Sequence, residues 1–274
     1  MLQLLVVPLA LAALGFWFTA QQEVRQHELE EQRARIEREI QDQRAQQSML
    51  QAYLDQMGVL LLDRSLRAAD ESSDVSRFAR ARTLVVLDAL DASRQERVLR
   101  FLNEAGLLRA APPEDQPVIT LKYAKMPGVE LPHRILLKGA NLQQADPSRS
   151  NLAYIDFRGT YLAGAHLEGA NLRGANMEGA DLSGAFLEGA DLREANLTSV
   201  DLSNAEELWE RGTRLWERGA GLGDVDLRDA DLSGADLTNV NLGGADLRGA
   251  IVTDGQLAKC KSLEGAILPD GSKH

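Results

Sequence analysis

The sequence contains little cysteine, few aromatic residues and few histidines, and these shortages exclude several classes of protein. One cysteine, Cys260, among 274 residues rules out an internal disulfide framework. The four histidines show no ligand-like spacing to a cysteine or to a carboxylate motif, which argues against a structural metal site. The formal net charge is -11, whereas phosphate-binding proteins usually carry the opposite sign. We therefore expect neither a metal nor a nucleic-acid partner.

Motifs for catalysis are lacking as well. The sequence contains no nucleophile motif and no phosphate-binding loop, and its many aspartates recur in a repeated position rather than as an isolated pair. A repeated position indicates a structural role before an acid or base role. The sequence thus predicts no enzymatic activity, no cofactor and no small-molecule substrate.

The first twenty residues, MLQLLVVPLALAALGFWFTA, carry no charge. Twenty apolar residues in a helix just span the hydrocarbon core of a bilayer, so residues 1–20 are predicted to be a transmembrane anchor. A cleaved signal peptide and a buried soluble helix are the alternatives, although no basic residue precedes the run as in a signal peptide. Arginines follow the run and none precedes it, which predicts a single-pass protein with the rest of the chain in the cytoplasm. These arginines are Arg25, Arg33, Arg35 and Arg38.

The next segment, residues 21–46, is rich in helix formers and lacks glycine and proline. Its apolar residues are Val24, Leu29, Ile36 and Ile40, whose spacing fits a coiled coil poorly. A charged, solvated helical stalk is therefore favoured over a dimer zipper.

Residues 47–110 show apolar residues three and four apart in three consecutive segments, which predicts a small helical module. Ser73 and Ser93 are the predicted N-caps of its later helices, and Gly106 is a predicted C-terminal stop. Residues 111–134 follow as a linker rich in proline and acidic residues and a lead-in strand of alternating pattern.

The remaining sequence repeats the five-residue phrase A-(D/N)-L-x-G, as in GAHLEGANLRGANMEGADLSGAFLEGADL at 164–192. Leucines five apart form no stripe on an α-helix, and they would alternate between the two faces of a straight strand. The chain must therefore turn between leucines. Leu and Ala, two apart, share the inner side of a short extended segment, Asp or Asn points outward, and Gly eases the corner. Repetition winds a solenoid whose coils bury one another's faces.

These residues resemble the pentapeptide-repeat proteins, whose pattern is A-(D/N)-L-x-x. The match covers Ala140–Asn204 and Val225–Gly249. The resemblance implies a mainly β C-terminal half, a right-handed quadrilateral β-helix with about twenty residues per coil. This β-helix would occupy residues 135–268, with residues 269–274 as a tail. The α-helical N-terminal half, with one transmembrane helix, looks like that of membrane-anchored bacterial members, from which no activity can be carried over.

The sequence departs from the repeat in two places. Pro147 occupies an inward leucine position, which predicts a distorted or bulged unit. Residues 205–224 interrupt the repeat with LWERGTRLWERGAG, which puts Trp209 and Trp216 seven apart. That spacing predicts a short helical excursion with both tryptophans on one face. The tryptophans either fold back on the tube or form a contact arm.

Bulky side chains in outward positions are the other candidate interaction residues. With four units per coil, residues twenty apart stack, which places His166 beside Phe186, with Tyr161 one corner away. These three form either a binding patch or scattered exposed aromatics without a role.

The sequence therefore predicts a membrane-anchored, non-enzymatic scaffold that presents its solenoid to an unknown protein partner. Two alternatives stay open. Some soluble pentapeptide-repeat proteins resemble duplex DNA in charge and shape and bind DNA gyrase, an analogy of fold that the acidic tube fits loosely. The other alternative is a structural envelope protein that self-associates through solenoid ends or stalk helices.

Overall fold

The structure is a computed structural model. It describes residues 3–63, 66, 69, 73–109, 117–133, 135–187, 189–202, 209–210, 213–214, 225–235, 237–238 and 240–274. Within these ranges, the side chains of residues 3–16, 18–20, 23–24, 63, 209–210 and 213–214 are outside the description. Contacts divide the chain into two compact units, Met1–Ser48 and Met49–His274.

Helix α1 extends over Gln3–Asp63 and includes the whole predicted stalk. In the stalk Leu29, Ile36 and Ile40 are exposed. The transmembrane anchor predicted for residues 1–20 has no support in this structure. Among the residues described, no helix is both long enough and apolar enough to cross a membrane.

In the second unit, the last turns of α1 pack against helices α2, Asp74–Ala89, and α3, Ala92–Glu104. Buried residues of all three helices belong to one hydrophobic core. The hydroxyl groups of Tyr53 and Thr83 lie 2.9 Å apart inside it, which satisfies two polar groups that burial would otherwise leave unpaired. The predicted helical module is therefore present.

The helix ends agree with the sequence in two of three cases. Ser73 caps α2, since its side chain accepts a hydrogen bond from the N–H of Ser76. Gly106 follows α3 with a φ of 74°, the conformation that ends many helices. The prediction of Ser93 as a cap is wrong. Asp91 caps α3 by accepting the N–H of Arg94 at 2.9 Å, because it directly precedes the first helical residue whereas Ser93 already lies inside.

From Leu121 onward, backbone groups pair with those of the neighbouring coil. Leu142 donates its N–H to Tyr161 O at 2.8 Å, and Tyr161 donates to Ala140 O at 2.9 Å. Parallel bridges link residues 20 apart through most of the tube. The N–H of Leu121 donates to Asn141 O at 2.8 Å, so this pairing starts within the range predicted as linker and lead-in strand.

The pairing stacks the outward positions into four sides, each contributing five residues per coil. Side 1 carries Asn141, Tyr161, Asp181 and Asp201, and side 2 carries Lys125, Asp146, His166 and Phe186. Side 3 carries Asn151, Asn171, Asp191, Asp226 and Asp246, and side 4 carries Asp156, Asn176, Asn196 and Asp231.

The inward leucines and alanines fill the tube, as the repeat predicts. Leu182, Ala185 and Leu187 are at most 1% exposed. An internal cavity of about 10 Å³ lies near the first coils. That volume holds about one water molecule and no substrate.

Helix α3 closes the first end of the apolar interior, and a short helix with the C-terminal residues packs on the last repeats. Leu99 of α3 lines the same small cavity as Leu121 of the first coil. The amide nitrogen of Gln95 donates to Leu87 O at 2.7 Å and to Lys125 O at 3.2 Å, which joins the helices to that coil. A solenoid needs such caps because its terminal coils would otherwise expose leucines.

At the other end, the short helix α4, Asp254–Leu257, follows the last repeats. The side-chain amide nitrogen of Gln256 donates to Leu232 O at 2.8 Å and to Ala235 O at 2.9 Å.

The bulge predicted at Pro147 is wrong. Pro147 is buried, and Ser148 donates its N–H to Asp146 Oδ1 at 3.1 Å, as in other units. A proline there gives up one N–H of the ladder, but its φ suits an extended segment, so the path of the coil does not change. The irregularity lies upstream. Glu130 pairs with Asn151, 21 positions on, whereas Leu136 pairs with Asp156, 20 positions on, so the extra residue falls between Glu130 and Leu136.

The helical excursion predicted within residues 205–224 is wrong for the residues described there. Strands β1, Trp209–Glu210, and β2, Thr213–Arg214, pair as antiparallel neighbours. Trp and Thr favour strands, and the glycines at 212 and 219 each cost a helix about 1 kcal/mol.

The ladder continues across this interruption. Asp191 pairs with Asp226, 35 positions on instead of 20, and Leu192 donates its N–H to Asp226 O at 2.8 Å. The tube therefore leaves out fifteen residues, not the twenty that the sequence pattern suggests. Fifteen is also a multiple of five, so the phase of the repeat is kept.

Candidate protein-interaction surface

The outward Asp or Asn of thirteen described units has a structural task. Its Oδ1 accepts the backbone N–H two residues later, at 2.9 to 3.4 Å, and so fixes the corner that follows. Asp and Asn both supply this oxygen, which explains why the repeat accepts either. The residues that make this bond are Asn141, Asp146, Asn151, Asp156, Asn171, Asn176, Asp181, Asp191, Asn196, Asp226, Asp231, Asn241 and Asp246.

Aromatic side chains replace the capping residue at three positions in the middle of the tube, on the adjacent sides 1 and 2. We name Tyr161, His166 and Phe186 the aromatic patch. Leu136 and Ile251 are apolar replacements in the first and last coils of side 4. The aromatic side chains of the patch lack the oxygen that caps the turn. The needs of the local turn therefore do not explain why aromatic residues occupy these positions.

His166 and Phe186 stack as predicted. Their ring centroids are 4.7 Å apart, and the ring planes differ by 16°. His166 Nδ1 lies 3.1 Å from Glu168 Oε1. The other oxygen of Glu168, Oε2, is buried and has no hydrogen-bond partner among the described residues. This part of side 2 therefore presents flat rings next to a carboxylate.

The other predicted contact residues are placed only in part. Tyr161 lies on side 1, pairs with Asn141 and Asp181 in the ladder, and is 37% exposed. Trp216 lies outside the described residues, and so does the side chain of Trp209, although its backbone belongs to β1. The structure thus brings His166 and Phe186 together and puts Tyr161 on the neighbouring side.

Side 3 carries a row of ion pairs. Arg193 Nη2 lies 2.5 Å from Asp191 Oδ2, and Arg193 Nε lies 3.5 Å from Asp226 Oδ2 in the next coil. The hydrogen bonds from Arg193 hold the pKa of Asp191 below its usual value. The same pairing recurs at Asp226 with Arg228 and at Asp246 with Arg248. The acidic residues of this side are therefore largely neutralised.

The described residues offer little for catalysis. No group of three or more His, Cys, Asp or Glu side chains in this part of the chain could hold a metal ion. Burial raises the pKa of the Cys260 thiol to about 11, so it stays protonated and a poor nucleophile at neutral pH.

A second surface feature, which the sequence did not suggest, lies where α3 meets the first coils. An open groove of about 670 Å³ is lined by residues of α3, including Glu96 and Arg100, and by Glu130, His133 and Asn151 of the solenoid. Outside the groove, the Tyr154 ring packs edge-on to His133 with centroids 5.4 Å apart. Only the docking of helix and coil creates this groove, so no sequence signal marks it.

The family comparison agrees with the repeat geometry. The sequence model of pentapeptide repeats matches the chain in 8 copies, over residues 134–169, 150–189, 178–206 and 218–260. No curated protein compared with the chain is significantly similar to it.

Several solved structures are similar to the chain. HetL, a pentapeptide repeat protein involved in heterocyst differentiation regulation in the cyanobacterium Nostoc sp. strain PCC 7120, is 30% identical, with 56% of this chain and 73% of HetL covered and a TM-score of 0.31. A second pentapeptide repeat protein from Nostoc PCC 7120 is 30% identical over 44% of this chain and 82% of its own, with a TM-score of 0.15. One from the Arabidopsis thaliana thylakoid lumen is 27% identical over 48% and 85%, with a TM-score of 0.31.

These TM-scores are low, so the superpositions themselves carry no weight, and the likeness is one of sequence. The repeated match to the family's sequence model and the 30% identity to HetL over 73% of its length agree with coils built from five-residue units. The chain therefore belongs to the pentapeptide-repeat family.

Proposed function

We propose that this protein is a non-enzymatic scaffold that binds a protein partner through the outer surface of its solenoid. The observation that carries the proposal is the aromatic patch, where the exposed rings of Tyr161 and His166 and the half-buried ring of Phe186 replace the turn-capping Asp or Asn on two adjacent sides. Each replacement gives up a hydrogen bond and leaves apolar area in water. Contact with a partner would offset that cost, and aromatic residues are frequent anchors of interfaces.

The patch residues Tyr161, His166 and Phe186 are the proposed contacts. Trp209 and Trp216 are proposed as a further contact on sequence grounds alone. The filled interior supports a role for the surface, since it leaves the tube no room to bind a substrate.

We also propose that residues 1–20 anchor the chain in a membrane, with the solenoid in the cytoplasm. This proposal rests on the uncharged run and on the arginines that follow it. Protease treatment of spheroplasts that carry a C-terminally tagged protein tests it. Protection of the tag is expected, and its digestion would place the solenoid outside.

The patch is tested by returning it to the repeat pattern. The triple change Tyr161→Asn, His166→Asn and Phe186→Asn restores the turn-capping oxygen, so we expect an unchanged or higher melting temperature. A photo-crosslinking residue at 161 or 186 should yield a discrete protein adduct in cells. Changing the remaining two patch residues to Asn should abolish that adduct. The matched control places the crosslinker at 176 or 196, outward positions of side 4.

Equal adducts from both sets of positions, or none from either, would overturn the proposed patch. An adduct that persists in the Asn variants would do the same.

The two alternatives have less support than the scaffold role. Duplex DNA is acidic all round, whereas the acidic residues of side 3 pair with arginines. Self-association through the solenoid ends is disfavoured at the first coil, because α3 packs on it.

A further inference from the structure

The charges of the solenoid are unevenly divided among its four sides. The arginines that follow an outward residue by two positions lie on sides 3 and 4. They are Arg158, Arg173, Arg193, Arg228 and Arg248. Each is bonded to a carboxylate, as Arg158 is to Asp156 at 2.8 Å and Arg173 is to Glu194 at 2.5 Å. Side 3 therefore balances much of its own charge, and on side 4 Arg158 balances Asp156.

Sides 1 and 2 carry carboxylates without this compensation. Among the described residues, no ion pair joins Asp146, Glu168 or Asp181 to a lysine or arginine. Asp146 and Asp181 use Oδ1 to cap a turn, and each has a second oxygen with further hydrogen-bonding capacity.

The basic residues near these two sides lie in the first coil or at the corner with side 3. Lys125 belongs to the first coil and pairs with Asp88 of α2 at 3.1 Å. Lys122 lies over the Tyr123 ring of the same coil, 5.2 Å from its centroid. Arg149 occupies the corner between sides 2 and 3, where its side chain packs over Gly169. The middle coils of sides 1 and 2 thus combine acidic groups with the aromatic patch.

This combination fits one kind of partner. A guanidinium group bonds to carboxylates and also stacks on aromatic rings, whereas an anionic surface would be repelled. We infer that sides 1 and 2 bind an arginine-rich segment of a protein partner, an inference that rests on the proposed function. Glu168 illustrates this combination, since its side chain is 39% exposed and its Oε1 lies 3.1 Å from His166 Nδ1.

The chain offers a matched pair of double variants. Glu168→Gln with Asp181→Asn removes two charges from sides 1 and 2. Glu178→Gln with Asp231→Asn removes two from side 4, and the sequence around Asp181 and Asp231 is the same, ADLSGA. Both aspartates accept an N–H through Oδ1, from Ser183 and Ser233 respectively, and Asn keeps that acceptor. The two variants therefore change net charge equally without loss of a turn cap.

The probe is a fluorescein-labelled nona-arginine peptide, and the readout is fluorescence anisotropy with the full-length protein in detergent. We expect the Glu168/Asp181 variant to weaken binding by about three- to tenfold, as the loss of two exposed ion pairs predicts. The Glu178/Asp231 control should change it less than twofold. Phe186→Leu should weaken nona-arginine more than nona-lysine, because the planar guanidinium stacks on a ring more readily than an ammonium does.

Equal losses in the two double variants would overturn the inference, because they would indicate attraction to net charge alone. Absence of nona-arginine binding would overturn it as well. The crosslinking experiment distinguishes a failure of this inference from a failure of the proposed function. If crosslinking from 161 and 186 captures a partner that contacts these positions through an acidic or neutral segment, the scaffold role stands and the basic partner is wrong.

Discussion

At most of the described corners of the tube one backbone position takes a positive φ, and the residue at that position decides how much free energy the turn costs. Glycine adopts this conformation freely, but Gln144, Arg149, Tyr154 and Glu194 also adopt it here. The solenoid therefore tolerates side chains at corners when space allows. The room available for a Cβ atom differs from one corner to the next.

Gly174 and Gly179 allow the cost of the left-handed backbone conformation to be separated from the cost of a steric overlap. Their φ angles are 62° and 64°, but an added Cβ would overlap the Tyr154 ring at Gly174 and would meet nothing within 4 Å at Gly179. We expect Gly179→Ala to lower the free energy of unfolding by about 1 kcal/mol, the cost of the left-handed conformation. Gly174→Ala should cost more, because the ring must leave its place beside His133.

Urea unfolding measures both costs. In a Tyr154→Ala background Gly174→Ala should cost the same as Gly179→Ala. Equal costs in the unaltered protein would contradict the steric explanation.

The sequence predicts single-residue placements well where the cause is local. Inward Leu and Ala and outward Asp or Asn follow from a period of five, and the stacking of His166 on Phe186 follows from four units per coil. It fails at Asp91, because Ser93 is an equally good capping residue two positions later. Only the actual start of the helix decides between them.

The interruption of the tube shows the same limit at the scale of elements. Two tryptophans seven apart fit a helix, yet residues 209–210 and 213–214 pair as strands. A short segment lies near the balance of both propensities, so periodicity alone cannot decide it. What the ladder does establish is the length of chain left out, fifteen residues between Asp191 and Asp226 beyond a normal coil.

Deletion of residues 206–220 should therefore leave a folded tube. It joins Ala205 to Gly221 and creates the unit A-G-L-G-D, in phase with the repeats on both sides. We expect a circular dichroism spectrum close to that of the parent and cooperative thermal unfolding. The control deletes 206–218, which leaves two residues out of phase and should lower the melting temperature. Loss of folding in the fifteen-residue deletion alone would show that the interruption is part of the core.

At the scale of the molecule, the packing of α3 on the first coil could not be predicted from the sequence, because it depends on contacts between distant segments. Nothing in α3 indicates that Leu99 closes the tube or that Gln95 reaches Lys125 O. The uneven distribution of charge among the four sides could have been predicted from the sequence. Counting in fives assigns each arginine that lies two positions after an outward residue to a side. The extra residue between Glu130 and Leu136 limits such counting to the coils that follow it.

Four equivalent sides also determine how a change in chain length affects the surface. Every unit offers the interior the same Leu and Ala, so loss of one unit between Asp191 and Asp226 would leave the interior filled. All later outward residues would turn by a quarter about the tube axis, and Asp226 would come to lie over Phe186 instead of Asp191. The row of ion pairs would then continue from the aromatic patch. Gain or loss of five residues is thus a rotation of one half of the surface against the other, which can exchange binding partners while the fold stays the same.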